Sequence, residues 1–197
     1  MVLFIHHFLP GSTKITALVL TPPTVLWGVI EYFRMRNPKL NQRVMWVLAP
    51  VMRKEEQTRF TGTFYFLVGV IICLVCFEDN VSVLSLVFLS WCDPMASLVG
   101  VLYGKHTIRF ANGKSLAGFI AAVVTGTVAT YVVYSTHIIR PMPQGMSLLV
   151  LSLGAGGIAG IAEGVSVFGL DDNLTLPLVA AVLLNIFYSG WGSLSLV

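Results

Sequence analysis

The sequence predicts an all-α, polytopic integral membrane protein, a bundle of about six transmembrane helices with a break in one of them at Asp93-Pro94. Three observations carry this. The 197 residues are 56% hydrophobic and only 11% charged, with a mean hydropathy of +0.83, which does not describe a soluble domain. Apolar runs at 15–33, 60–77, 81–104, 115–136, 146–168 and 174–190 span or nearly span hydrocarbon, for which about 20 helical residues are needed. The basic residues are also gathered: seven of the 12 Lys and Arg fall in 34–59 (Arg34, Arg36, Lys39, Arg43, Arg53, Lys54, Arg59) and three in 105–114 (Lys105, Arg109, Lys114). The positive-inside rule puts both loops in the cytoplasm. With six spans the loop 164–174 joins them, while Glu78-Asp79 and Arg140-Pro141 face away. No nucleic-acid partner is expected.

From the N-terminus, the run 1–9 is too short to span, has no charged n-region and no small-residue cleavage pattern, so it is expected at the interface and not as a cleaved signal peptide. Thr21-Pro22-Pro23 should kink or break the first span, with Trp27 and Tyr32 anchoring at the headgroups. Asn37-Pro38 and Ala49-Pro50 divide the basic segment, and Val44 to Met52 reads as an interfacial helix. For Arg34, Arg36, Lys39 and Arg43 attraction to anionic lipid is the expected role. Residues 1–52 are thus expected to form an N-terminal anchor, with the first span and the basic interfacial segment, and 53–197 a membrane-embedded unit, a single domain overall. Arg53-Lys54 and Arg59 differ in standing at the entrance of the second span, beside Thr61-Gly62. The three cysteines, Cys73, Cys76 and Cys92, sit in apolar runs and are expected to pack rather than to bind metal or form disulfides.

The third span carries one carboxylate, Asp93, in an apolar run, and a charge at membrane depth is costly unless something offsets it. Pro94 makes Asp93 the expected N-cap of a new helix. Ser97, Gly100 and Gly104 follow at helical spacing on one face, against which a ligand can lie. A cap and a close-packing glycine pair explain the same residues. Further on, Gly113-Lys114-Ser115 resembles a phosphate-binding loop, but the Walker pattern requires glycine where the chain has Ile108. What is left is a glycine, a cation and a hydroxyl at a helix start, where N–H groups favour an anion.

The fifth span has Gly156, Gly160 and Gly164 at four-residue spacing for close helix approach, with Glu163 near its end. The turn Asp171-Asp172-Asn173 opens the last span, and Asp172 or Asn173 is expected to cap it. Asp93, Glu163, Asp171, Asp172 and Asn173 are hard oxygen ligands suited to magnesium or calcium. Arg53, Lys54, Arg59, Lys105, Arg109 and Lys114 are cations on the same side. Acids and cations without a His or Cys nucleophile are what a metal–nucleoside triphosphate needs. The residues alone specify neither base nor acceptor.

Ser90-Trp91-Cys92-Asp93 with its glycines, Gly113-Lys114-Ser115-Leu116-Ala117-Gly118, and Glu163-Gly164 ahead of Asp171-Asp172-Asn173-Leu174-Thr175-Leu176-Pro177 resemble the polyprenol kinase group. That group includes dolichol kinase, phytol kinase and CTP-dependent diacylglycerol kinase, and the last branch is the most similar. The resemblance runs from about Arg53 to Phe187. It implies transfer of the γ-phosphoryl of CTP to diacylglycerol, giving phosphatidate and CDP, with a divalent metal, at the endoplasmic reticulum or nuclear envelope. It also implies that Arg53, Lys54, Asp93 and Gly100 are needed for activity. The short N-terminus departs from the long hydrophilic leader of some fungal members. Combining residues and resemblance, Asp93, Asp172, Arg53 and Lys54 are expected to be catalytic, and Asp93, Glu163, Asp172 and Asn173 to hold metal. Nucleotide and phosphate contacts are expected from Arg53, Lys54, Arg59, Thr61, Gly62, Ser97, Gly100, Gly104, Lys105, Lys114 and Ser115. Dolichol or phytol kinase shares the chemistry. CDP-diacylglycerol synthase has an aspartate-rich signature that Glu163 to Pro177 do not match, and a transporter would not gather its cations on one side.

Overall fold

The computed structural model describes residues 13–48, 54–139, 142–143, 145–165 and 169–194. Among them are seven α-helices and no strand: α1 Thr13–Arg36, α2 Pro38–Leu48, α3 Gly62–Cys76, α4 Asp79–Tyr103, α5 Leu116–Ser135, α6 Leu148–Gly164 and α7 Asp172–Leu194. The all-α membrane bundle is therefore as expected. Four helices, α1, α4, α5 and α7, are long and apolar enough to cross a membrane. α3, with 15 residues, and α6, with 17, are apolar but shorter.

α4 is the central post. Every residue from Val81 to Leu89 is buried, so this half is enclosed on all sides, by α5 and α7 above all. That enclosure explains a correction: Asp93 is not an N-cap and the helix does not break. Pro94 withdraws one N–H from the Ser90 carbonyl, a penalty of about 3 kcal/mol in an isolated helix, and packing on both sides keeps the helix continuous through it. The same holds in α1, which runs through Pro22 and Pro23. There the Thr21 and Thr24 hydroxyls bond back to the Ala17 and Leu20 carbonyls, each at 2.7 Å.

α5 and α6 form the tightest pair, as the small residues predict. A Cβ on Gly126 would stand 2.6 Å from that of Ala159, one on Gly156 would collide with the Thr127 hydroxyl, and one on Gly160 with the Val123 side chain. α2 begins earlier than the interfacial helix expected at Val44, because Asn37 Oδ1 accepts from the N–H groups of Lys39 (3.1 Å) and Leu40 (3.3 Å) and caps it. The rest of that segment, through Arg53, lies outside the described residues, as do residues 1–12 and Arg140-Pro141. Cys73 and Cys92 are buried in the core, whereas Cys76 is exposed on α3.

Candidate active site

Between α4 and α5 the chain folds into a small hairpin. Phe110 N–H donates to Lys114 O (2.8 Å), Gly113 N–H to Phe110 O (2.9 Å) and Leu116 N–H to Ile108 O (2.8 Å). The loop needs a left-handed residue, and Gly113 supplies it at φ +85. Asn112 then clamps the hairpin in place: its Oδ1 accepts from Lys114 N–H (3.1 Å) and its Nδ2 donates to Gly164 O at the end of α6 (2.8 Å). Ser115 caps α5, accepting from Gly118 N–H at 3.2 Å. Its Oγ lies 3.0 Å from where a Cβ on Gly104 would stand and 3.3 Å from one on Gly100. Both glycines thus admit the hairpin to α4 before any ligand is considered.

The expected anion site at the start of α5 is not available. Leu116, Ala117 and Gly118 give their N–H groups to Ile108 O, Thr107 Oγ1 and Ser115 Oγ, so those donors are spent inside the protein.

What the hairpin does present is Lys114. A cavity of about 510 Å³ is lined by Asp93, Ser97 and Gly100 of α4, by Lys105, Arg109, Lys114 and Ser115, by Glu163 of α6 and by Asp172 of α7. Lys114 Nζ stands 3.3 Å from Glu163 Oε1 and 3.1 Å from Asp172 Oδ2, and it also donates to the Glu163 carbonyl. One ammonium ties the end of α6 to the start of α7. Glu163 is buried, and its Oε2 has no hydrogen-bond partner. An acceptor left unpaired in this way calls for a cation or donor from outside the chain.

Asp172 is available because its neighbour does the capping. Asp171 Oδ1 accepts from the N–H (2.9 Å) and Nδ2 (2.8 Å) of Asn173, and Asp171 O takes the N–H of Leu174 and Thr175. The cap is thus Asp171, where Asp172 or Asn173 was expected. Asn173 lines neither of the two cavities described here. Its amide nitrogen packs 2.9 Å from where a Cβ on Gly62 would stand.

Asp172 also lines a second cavity of about 240 Å³, with Glu56, Arg59, Phe60, Tyr65, Gly169, Leu170 and Asp171. Arg59 therefore lines the second cavity and not the one that holds Lys105 and Lys114. Thr61 and Gly62 are buried and line neither cavity: Thr61 accepts from Trp27 Nε1 at 3.2 Å, its N–H goes to Glu31 Oε2 at 3.1 Å, and Gly62 N–H goes to Glu56 Oε1 at 2.7 Å. Trp27 is accordingly tied to the start of α3 rather than to headgroups. Arg53 and the Lys54 side chain lie outside the described residues.

The sequence reading assigned Arg34 to lipid and passed over Glu31. Both are fully buried and paired at 2.8 Å. Arg34 also donates to Asn41 Oδ1 (2.9 Å), Glu56 O (3.1 Å) and Arg59 O (2.6 Å). It fastens the entrance segment 56–61 to α1 and so holds one wall of the second cavity. The spacing of three between Glu31 and Arg34 was the available signal.

Residues 3–165 match the cytidylyltransferase family. The chain belongs to that family. Among curated members, it is 35% identical over 170 residues to CTP-dependent diacylglycerol kinase 1 of Eremothecium gossypii, covering 80% of this chain and 54% of that protein. It is 36% identical over 173 residues to the protein of that name from Schizosaccharomyces pombe, with 82% and 78% covered. The protein of the same name from Saccharomyces cerevisiae is 31% identical over 174 residues, with 82% and 60% covered. The chain thus spans between about half and three quarters of these relatives. No solved structure matches this cytidylyltransferase-family chain. The resemblance drawn from its motifs to the diacylglycerol kinase branch holds.

Proposed function

We propose that this chain is a CTP-dependent lipid kinase that transfers the γ-phosphoryl group of CTP to diacylglycerol. The observation that carries the reading is Lys114, held by Glu163 and Asp172 in a cavity that also contains Asp93, Lys105 and Arg109. Three cations suit a triphosphate, the carboxylates suit its metal and the acceptor's proton, and the relatives' names supply CTP and the acceptor.

Phosphoryl transfer leaves the protein mainly positioning and charge neutralisation to perform. Lys105, Arg109 and Lys114 bind and orient the phosphates, and Arg53 and Lys54 are assigned to them from the family resemblance. Asp172 accepts the proton of the lipid hydroxyl as that oxygen bonds to the γ-phosphorus. The bond from the γ-phosphorus to the bridging oxygen breaks, its electron pair leaves with CDP, and the proton passes from Asp172 to water. The carboxylates fit a hard divalent ion, magnesium or calcium, and the unpaired Glu163 Oε2 is the atom that most wants one. Asp93 and Glu163 would hold it together with phosphate oxygens, since among the described residues no three acidic, His or Cys side chains form a metal-binding group. An ion held there would supply charge neutralisation to the phosphates. The active face is assigned to the cytoplasmic side because the cationic loops gather at that end, and the endoplasmic reticulum or nuclear envelope is assigned from the family resemblance.

The test is label transfer by purified protein to diacylglycerol, dolichol and phytol, with CTP labelled at the γ or the α position. Label from the γ position in phosphatidate is expected. Label from the α position in the lipid would make the enzyme a cytidylyltransferase in reaction as well as in family, and no lipid label from either position would refute the proposal.

A further inference from the structure

The cavity of about 240 Å³ that shares Asp172 is lined by none of Lys105, Arg109 and Lys114. We propose that it is the acceptor subsite, which takes the glycerol head of the lipid alcohol, and that Tyr65 and Arg59 are its recognition residues. This rests on the kinase reading.

Four observations lead there. First, the two cavities share Asp172, and a carboxylate on the common wall is where an incoming hydroxyl can lose its proton to one side while its oxygen attacks a phosphorus on the other. Second, the charges divide. The larger cavity sets Lys105, Arg109 and Lys114 against Asp93, Glu163 and Asp172, so its charges balance, whereas the smaller has Arg59 alone against Glu56, Asp171 and Asp172. A polyanion is repelled from the smaller one, and an uncharged alcohol is not.

Third, the smaller cavity adjoins the start of an apolar helix. Tyr65 is in the first turn of α3, an apolar helix that starts at Gly62, and Leu170, 45% exposed, stands across from it. Aromatic side chains at such a level are half in hydrocarbon and half in water. A diacylglycerol keeps its hydroxyl at this level because its acyl chains cannot leave the bilayer. Phe60 supports Tyr65 edge-on, with ring centroids 6.4 Å apart. Fourth, the volume admits a glycerol with its ester carbonyls but falls below the roughly 300 Å³ at which sites for whole drug-sized ligands begin. The Tyr65 hydroxyl and the Arg59 guanidinium are donors for those ester carbonyls. Asp172 is the acceptor for the hydroxyl.

The experiment varies both substrates in mixed micelles with Tyr65→Ala and Arg59→Ala, and measures CTP binding by equilibrium dialysis and thermal unfolding in detergent alongside. The expected result is a five- to tenfold rise in KM for diacylglycerol in each variant, with KM and dissociation constant for CTP within twofold of wild type and melting unchanged. A rise in the CTP constants with the acceptor KM unmoved would make the cavity the cytosine site and overturn the assignment. So would constants unmoved for both substrates. Should a variant melt early, Tyr65→Phe, which removes only the hydroxyl, replaces it and is read by the same KM split. Wild-type protein that labels no lipid alcohol refutes the kinase reading, and this proposal falls with it. Active wild type with unmoved acceptor constants refutes this proposal alone.

Discussion

Lys114 holds two carboxylates at once, so deleting its charge acts on both ligand and protein. Phosphate loses a charge-assisted hydrogen bond, about 1.5–3 kcal/mol, and Glu163 and Asp172 are left facing each other. Lys114→Ala should raise the KM for CTP about 10- to 100-fold, with Lys114→Arg recovering part of it. Unchanged CTP affinity and turnover in the Ala variant would show the lysine to be a staple between α6 and α7 and nothing more. At Asp93 the alternative explanation has gone. An asparagine caps a helix about as well as an aspartate, but Asp93 lies inside α4, well away from both ends of a helix that runs from Asp79 to Tyr103. Asp93→Asn should therefore abolish transfer or demand far more metal, in protein that still inserts and melts normally. Activity with unaltered metal dependence would move the principal ligand to Glu163. The acids were legible as a set because carboxylates are rare in apolar runs. Their division of labour was not, since which of three consecutive residues caps α7 depends on where Asp171 Oδ1 points.

At the scale of elements, the spans were legible to within a few residues, because apolar run length is written directly in the chain. Pro94 misled because local propensity forecast a stop that burial of Val81 to Leu89 overrides. Arg34 misled because its charge is indistinguishable in sequence from that of Arg36, which is exposed and stacks on Tyr32 at 4.3 Å. The structure separates them by a side chain's direction alone. Removing one partner of a buried ion pair costs about 3–5 kcal/mol, so Arg34→Met should unfold at clearly lower temperature or denaturant. Glu31→Gln combined with Arg34→Met should recover part of that loss, because the stranded carboxylate is gone. A single variant as stable as wild type would mean that the pair does not hold the entrance segment.

For the whole molecule, the basic loops and both cavities lie at one end of the bundle, which gives orientation a direct readout. A cysteine placed at position 109 should react with an impermeant maleimide from the cytoplasmic side of sealed microsomes, against a background of Cys73, Cys76 and Cys92 replaced by Ser or Ala. Labelling from the lumen alone would invert the topology. The convergence itself was foreseeable from the count of Lys and Arg, whereas the second cavity was not, since no motif marks a space between a loop and a helix start. The lengths of two helices carry one more consequence. At 1.5 Å per residue, α3 and α6 rise about 22 and 26 Å, less than the roughly 30 Å of hydrocarbon around them. α3 starts and α6 ends at the end of the bundle where the cavities open, and a leaflet that thins there would meet them. Hydrophobic mismatch of that kind makes bilayer thickness a variable of the reaction. Reconstituted into lipids of increasing acyl length, the proposed kinase should slow as the bilayer thickens, because a thin membrane is the one that brings a lipid hydroxyl down to the level of Asp172.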